Sequence, residues 1–105
     1  MARRAKDYLE FEWDEGNIDK NWTKHKVVVK ESEQVFIDPD AIISEDPKHS
    51  VVEVRCLLLG KTKTGRRLAV IFTKRDNKIR VISARSQGKK ERRLYEKKEK
   101  TKTNS

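Results

Sequence analysis

The chain has 105 residues, of which 34% are hydrophobic and 41% charged, with a formal net charge of +9. That length and composition allow one small domain with a modest core, in the size range where a bound partner adds real stability. No run approaches the roughly 20 apolar residues that span a bilayer. The N-terminal MARRAKDYLEFEWD lacks an apolar signal core, and the single Cys56 has no partner for an internal disulfide, so a soluble, cytoplasmic protein without membrane contact is expected.

Residues 1–9 carry no pattern and are expected to be loosely ordered. Phe11 and Trp13 alternate with Glu10 and Glu12, as in a short edge strand with both aromatics on one face. Asp14 suits a helix N-cap, and Glu15 complements the dipole in the first turn. Ile18, Trp22 and His25 recur at helical spacing, so a helix over 15–25 is expected to turn them to one side, with Trp22 in the core. The β-branched run Val27-Val28-Val29 breaks that helix. A shorter helix is read over 31–36, ended by Asp38-Pro39-Asp40. Residues 41–44 form a four-residue strand candidate, closed by a polar loop over 45–50.

The most apolar stretch, residues 53–85, then reads as a three-stranded meander. Its first strand covers 55–59, and Gly60 and Gly65 bracket a hairpin loop. Leu68, Val70 and Phe72 alternate with Ala69, Ile71 and Thr73, giving a second strand with two largely apolar faces, as in the centre of a covered sheet. A turn over 74–78 leads to the third strand. Strict alternation puts Ile79, Val81, Ser83 and Arg85 on one face and Arg80, Ile82 and Ala84 on the other. Residues 89–98 read as a terminal helix anchored by Leu94 and Tyr95, followed by a disordered basic tail over 99–105. The expected fold is therefore α+β, a single domain over 10–98 in the order β-α-α-β-β-β-β-α. It has a curved antiparallel sheet and helices mainly on one face.

Charge is unevenly placed. Residues 1–50 hold 8 Lys/Arg against 12 Asp/Glu, whereas residues 51–105 hold 18 against 5. A polyanion such as nucleic acid would dock on the C-terminal half, although lysine-rich runs are also common as solvated surface. His25, His49 and Cys56 are scattered without paired metal-ligand spacing, and no glycine-rich phosphate loop or nucleophile elbow is present, so neither metal nor cofactor is expected. What remains is a cationic sheet end made by Arg55, Arg66, Arg67, Arg75, Arg80 and Arg85. Guanidinium groups clamp phosphate and stabilise the added charge of a pentacovalent transition state. RNA brings its own nucleophile, the 2′-hydroxyl, so a ribonuclease needs only such clamps with proton-transfer groups. His25, Glu53, Tyr95 and lysines are candidates for that role. By composition alone, arginines that merely solubilise the surface are an equal alternative, and His25 could equally stabilise a helix C-terminus. Cys56 is read as core.

Several motifs, taken in order, resemble one family. They are Phe11-Glu12-Trp13-Asp14, Asn21 with Lys24-His25 and Val27, Val35-Phe36 with Asp38-Pro39, Asp46-Pro47, Glu53 with Arg55, Gly60, Gly65-Arg66 and Leu68. The most specific part is Thr73-Lys74-Arg75 with residues 79–85, IRVISAR, followed by Glu91-Arg92 and Tyr95. Over residues 11–96 the chain resembles the BrnT ribonuclease toxins of type II toxin–antitoxin systems, which have a RelE-like fold. The resemblance implies a metal-independent endoribonuclease that blocks translation. It also implies a BrnA-like ribbon-helix-helix antitoxin as partner, a 2:2 complex containing a toxin dimer, and contact with operator DNA only through the antitoxin. It implies catalytic roles for Lys24, His25, Glu53, Arg80, Arg85 and Tyr95, with RNA contacts from Arg55, Arg66, Arg75 and Lys89. A non-catalytic nucleic-acid-binding module, or a degenerate toxin kept as a repressor component, is the alternative. Three positions depart from the family pattern. Lys26 stands for a glycine that would supply a left-handed cap, Val28 for a Ser or Thr cap, and Ser86-Gln87-Gly88 for a run with a small residue at the Gln87 position, near the expected substrate groove.

Overall fold

The computed structural model describes residues 10–46 and 53–103. Its elements are β1 (Glu10–Glu12), α1 (Glu15–His25), α2 (Val29–Gln34) continued by a 3₁₀ turn (Val35–Ile37), β2 (Ile42–Glu45), β3 (Arg55–Lys61), β4 (Arg67–Arg75), β5 (Lys78–Ser86) and α3 (Lys89–Thr103). The five strands form one sheet in the order β1-β5-β4-β3-β2. The expected α+β order is present. One pairing departs from the antiparallel expectation: β1 lies parallel to β5, with Glu12 opposite Arg80. The expected segment 1–9 and most of the loop over 45–50 lie outside the described residues.

Turn chemistry explains the long β4–β5 hairpin. Asp76 and Asn77 both take positive φ, 48° and 68°, so a two-residue turn of the primed kind matches the twist of the flanking strands. At the β3–β4 connection only Gly65 is a turn glycine, with φ of 92°. Gly60 instead lies within β3 under α2's 3₁₀ extension. A Cβ there would stand 2.8 Å from the Val35 Cβ and 2.9 Å from its carbonyl oxygen, so close approach of two backbones demands glycine.

One face of the sheet is sealed. Leu58, Leu68, Val70, Phe72, Ile79, Val81 and Ala84 are buried there beneath α1 and α2, joined by Val27 and Val35. Phe36 bridges Phe11 and Phe72 in edge-to-face contacts at 5.2 and 5.0 Å. Each fully buried aliphatic side chain contributes roughly 1.5–3 kcal/mol relative to exposure. On the opposite face Leu59 and Ala69 form a smaller cluster with Tyr95 of α3. Cys56 packs at the margin of the larger core, as expected.

A β-bulge decides which arginines share a face. Phe72 is paired with Val81 and Ile71 with Ser83, so Ile82 is the extra residue and alternation reverses there. Strict alternation is thereby corrected: Ile79, Val81 and Ala84 face the main core, while Arg80, Ser83 and Arg85 share the other face.

The apolar stripe expected on α1 is also corrected. Trp22 is 51% exposed, whereas Asn21 is buried at 2%. β1 pairs with only Lys78–Arg80 of β5, which leaves the next edge groups of β5 without a strand partner. Asn21 Oδ1 accepts the Ala84 N–H at 3.1 Å, and Asn17 Nδ2 donates to the Val81 carbonyl at 3.4 Å. Two asparagines thus finish an edge that β1 is too short to cover. Trp22, turned outward, lies beneath the Lys26 ammonium at 4.9 Å.

α3 also differs from expectation. The helix continues through Thr103, and Glu99 pairs with Lys61 and Arg67, so the tail expected to be disordered from Glu99 is helical over most of its length. Leu94 is 58% exposed and is no anchor; Tyr95 alone of the two is buried.

Candidate functional site

The open face of the sheet presents a graded row structure. Arg55, Thr73, Arg80 and Glu12 lie opposite one another across β3, β4, β5 and β1. Two residues along are Leu57, Ile71 and Ser83, and beyond them Leu59, Ala69 and Arg85. Successive rows are about 7 Å apart at the strand rise of ~3.4 Å per residue. Leu57, Ile71 and Ser83 are half-buried and form the floor between Arg80 and Arg85. α3 covers the far end of this face, through Tyr95 on Leu59 and Ala69.

Arg75, Arg80 and Arg85 are each held by a carboxylate of the same chain. Arg80 donates from Nη1 to Glu12 at 3.5 Å and from Nη2 to Asp14 at 3.2 Å. The other Asp14 oxygen accepts the Asn17 N–H and caps α1, so one side chain both starts the helix and orients the arginine. Arg75 pairs with Glu53 at 3.0 Å. Arg85 makes a two-pronged contact with Glu91, at 2.7 and 2.9 Å. Glu91 also accepts the Gly88 N–H at 2.8 Å, closing the first turn of α3. The hydrogen bond from Arg85 draws the Glu91 carboxyl below its ordinary range, against the opposing effect of partial burial, and Glu91 in turn holds the Arg85 guanidinium more firmly protonated. Bonds at the tips fix the planes of the Arg80 and Arg85 guanidinium groups while leaving further N–H donors for a phosphate.

The residues expected at the site, apart from Arg66 and Tyr95, separate into three groups. Glu53, Arg55, Arg75 and Arg80 come together on the open face, and Arg85 joins them across the Ser83 row. Lys24 and His25 lie at the C-terminus of α1, which runs beside the β5 edge toward Ser86; Lys24 is exposed and His25 half-buried. Lys89 is exposed on the first turn of α3.

Arg66 and Tyr95 are placed elsewhere. The Arg66 guanidinium donates to the His25 and Lys26 carbonyls at 2.8 and 2.7 Å and pairs with Glu31. It clasps the end of α1, where orphan carbonyls and the helix dipole favour a cation. Tyr95 is fully buried. Its hydroxyl donates to Asp38, which also accepts the Lys61 and Asp40 N–H groups. Burial first, and the Asp38 carboxylate second, raise the phenol far above its usual range, so it stays protonated and fastens α3 to β3. Among the departures, Lys26 takes the left-handed cap conformation without glycine, at φ 55°. Val28 has no capping oxygen, but its N–H is taken by Glu31 at 3.2 Å. Gln87 is buried rather than at a groove, and its Nε2 donates to the Gly60 and Leu68 carbonyls.

Sequence reasoning missed Ser83 in the floor and the orienting carboxylates Glu12, Asp14 and Glu91. Asp14 and Glu91 had visible signals, a cap position and a position three residues after Gly88. Their second contact, with an arginine distant in sequence or across a turn, had none.

A sequence model of the family described as the ribonuclease toxin BrnT of type II toxin–antitoxin systems matches residues 13–91. The chain belongs to the BrnT family. It is thus a member of the ribonuclease toxins of type II systems, a class that implies an antitoxin partner. Among solved structures, the ribonuclease toxin BrnT of Brucella abortus is similar in fold, with a TM-score of 0.57 and 24% identity, covering 77% of this chain and 99% of that one. No curated protein sequence matches. No helix among the described residues is long and apolar enough to cross a membrane.

Proposed function

We propose that this BrnT-family chain is a metal-independent endoribonuclease that arrests translation by cutting RNA, acting in the cytoplasm. A BrnA-type ribbon-helix-helix antitoxin neutralises it in a 2:2 complex built on a toxin dimer, and operator DNA is met only through that antitoxin. The observation that supports the catalytic reading most directly is the bulge at Ile82, which puts Arg80 and Arg85 on one open face with Ser83 between them. In this reading the RNA 2′-oxygen attacks the adjacent phosphorus as its proton passes to a base. The phosphorus–O5′ bond breaks, and the leaving oxygen takes a proton, giving a 2′,3′-cyclic phosphate and a 5′-hydroxyl end. Arg80 and Arg85 carry the extra charge on the pentacovalent phosphorus, a role worth about 10²–10³ in rate for one well-placed donor. Arg55, Arg75 and Lys89 hold flanking phosphates. Glu53, Lys24 and His25 are the candidates for proton transfer, and Tyr95 acts by fixing α3.

The decisive experiment is cleavage of total or messenger RNA by purified protein with a chelator present. Cyclic-phosphate ends are expected, and intact RNA together with normal growth on expression would defeat the proposal. The resident carboxylates on Arg75, Arg80 and Arg85 favour a second reading, a degenerate toxin retained as a repressor component. In that case RNA binds with steep salt dependence and is not cut.

A further inference from the structure

We infer that the outward face of α3 is a docking rail for the phosphate backbone of RNA, separate from the face that carries the arginine clamps. The inference rests on RNA being the ligand proposed above. It is motivated by a segregation of charge within one helix. Glu91, Glu96 and Glu99 all turn toward the sheet, where they pair with Arg85, Arg67 and Lys61. The cations on the other side have no such partners: among the described residues Lys90, Arg93, Lys97 and Lys100 form no ion pair. All four are exposed.

Spacing gives the stripe its form. Those residues recur at intervals of three and four, on one side of the helix opposite Tyr95. At a rise of ~1.5 Å per residue the cations stand about 4.5–6 Å apart, in a line about 15 Å long. Arg93, Lys97 and Lys100 also border a shallow open depression with Glu96 and Thr101. Arg75, Arg80 and Arg85 are each offset by a carboxylate within hydrogen-bonding distance, so their field falls off quickly. Among the described residues the four cations of the α3 stripe have no carboxylate partner, and Glu96 beside them is engaged by Arg67, so their charge is available to an approaching polyanion. A linear ligand with regularly repeated negative charge complements it. No exposed aromatic side chain lies on the helix, which suits a contact with backbone rather than with bases.

The test uses the full chain and an oligoribonucleotide of mixed sequence with 2′-O-methyl sugars, which lacks the nucleophile and reports binding apart from cleavage. Replacing Arg93, Lys97 and Lys100 together by Gln keeps helix propensity, and helicity is checked by circular dichroism. The slope of log affinity against log salt should fall by about 2, from ~0.7 per lost phosphate contact, and affinity at 0.1 M salt should fall roughly 10- to 100-fold. A control with Lys20, Lys30 and Lys63 replaced by Gln loses the same net charge and should change affinity less than about threefold. With cleavable RNA the α3 variant should raise KM and leave kcat at saturation within about twofold. On the unaltered chain, bound RNA should shield Lys90, Lys97 and Lys100 from acetylation, a result independent of any variant. Equal losses in the two triple variants, or an unchanged slope in the α3 variant, would overturn the inference. So would retained RNA affinity with lost binding of polyglutamate, which would make the face a site for an acidic protein. A failure of the ribonuclease proposal appears separately, as absent cleavage with the binding differences intact.

Discussion

The two faces of the sheet are made from the same strands and obey different rules. On the face beneath α1 and α2, Leu58, Val70 and Val81 are fully buried and the chain tolerates no added atom at Gly60. On the other, Arg75, Arg80 and Arg85 remain partly open to solvent, held by carboxylates rather than by packing. Packing and exposed charge are thereby separated by sheet face, with the bulge at Ile82 keeping Arg80 and Arg85 together on β5. A substitution on one face should register as lost stability, and one on the other as lost activity.

The largest expected effect tests the open face. Arg80→Ala or Arg85→Ala should lower cleavage by about 10²–10³, equivalent to ~2.7–4 kcal/mol of transition-state stabilisation. Because these are partly exposed pairs, stability should fall by no more than about 1 kcal/mol. A melting temperature lowered as strongly as the rate would assign the arginines to the fold. The converse substitution is Gly60→Ala, where the Val35 backbone cannot retreat easily. A loss of about 1–3 kcal/mol is expected in chemical denaturation, with kcat nearly unchanged under conditions that keep the chain folded. A neutral Gly60→Ala would mean that α2 moves freely over β3.

Tyr95 sits where the two regimes meet. Tyr95→Phe keeps the ring against Leu59 and Ala69 and removes only the bond to Asp38. A loss of about 0.5–1.5 kcal/mol in stability is expected, with cleavage within about threefold. A hundredfold slower enzyme of normal stability would instead place the hydroxyl in the chemistry. The Arg85–Glu91 contact adds a pH dependence. The Glu91 carboxyl is depressed in the folded chain, so its contribution is complete above its ordinary value near 4.5 and is lost as pH falls through the lower folded value. Glu91→Gln should flatten that part of the acid unfolding curve. The smallest effect is Lys26→Gly, which relieves a left-handed residue and loses the cation over Trp22. A net gain of about 0.5 kcal/mol is expected in thermal denaturation.

Local rules made much of this protein legible. The Asp14 cap and the alternating run of β4 depend on neighbours within a few residues and are present, while the turn read over 74–78 is narrowed to Asp76-Asn77. The list of cationic site candidates was equally readable from the sequence, because charge is a property of each side chain alone. Orientation was not. Trp22 and Asn21 exchange places because the Ala84 N–H needs an acceptor where β1 stops, a demand made by an element more than sixty positions away. The bulge at Ile82 leaves residue types unchanged and yet carries Arg80 and Arg85 to one face, since only the register against β4 defines it. Arg66 and Tyr95, chemically suited to a phosphate, are drawn into capping α1 and fastening α3 by carbonyls and a carboxylate from distant segments. Composition and periodicity thus determined the elements and the supply of charge, whereas tertiary pairing decided which charges stay on the open face and which hold the fold, because hydrogen-bond partners are chosen in space.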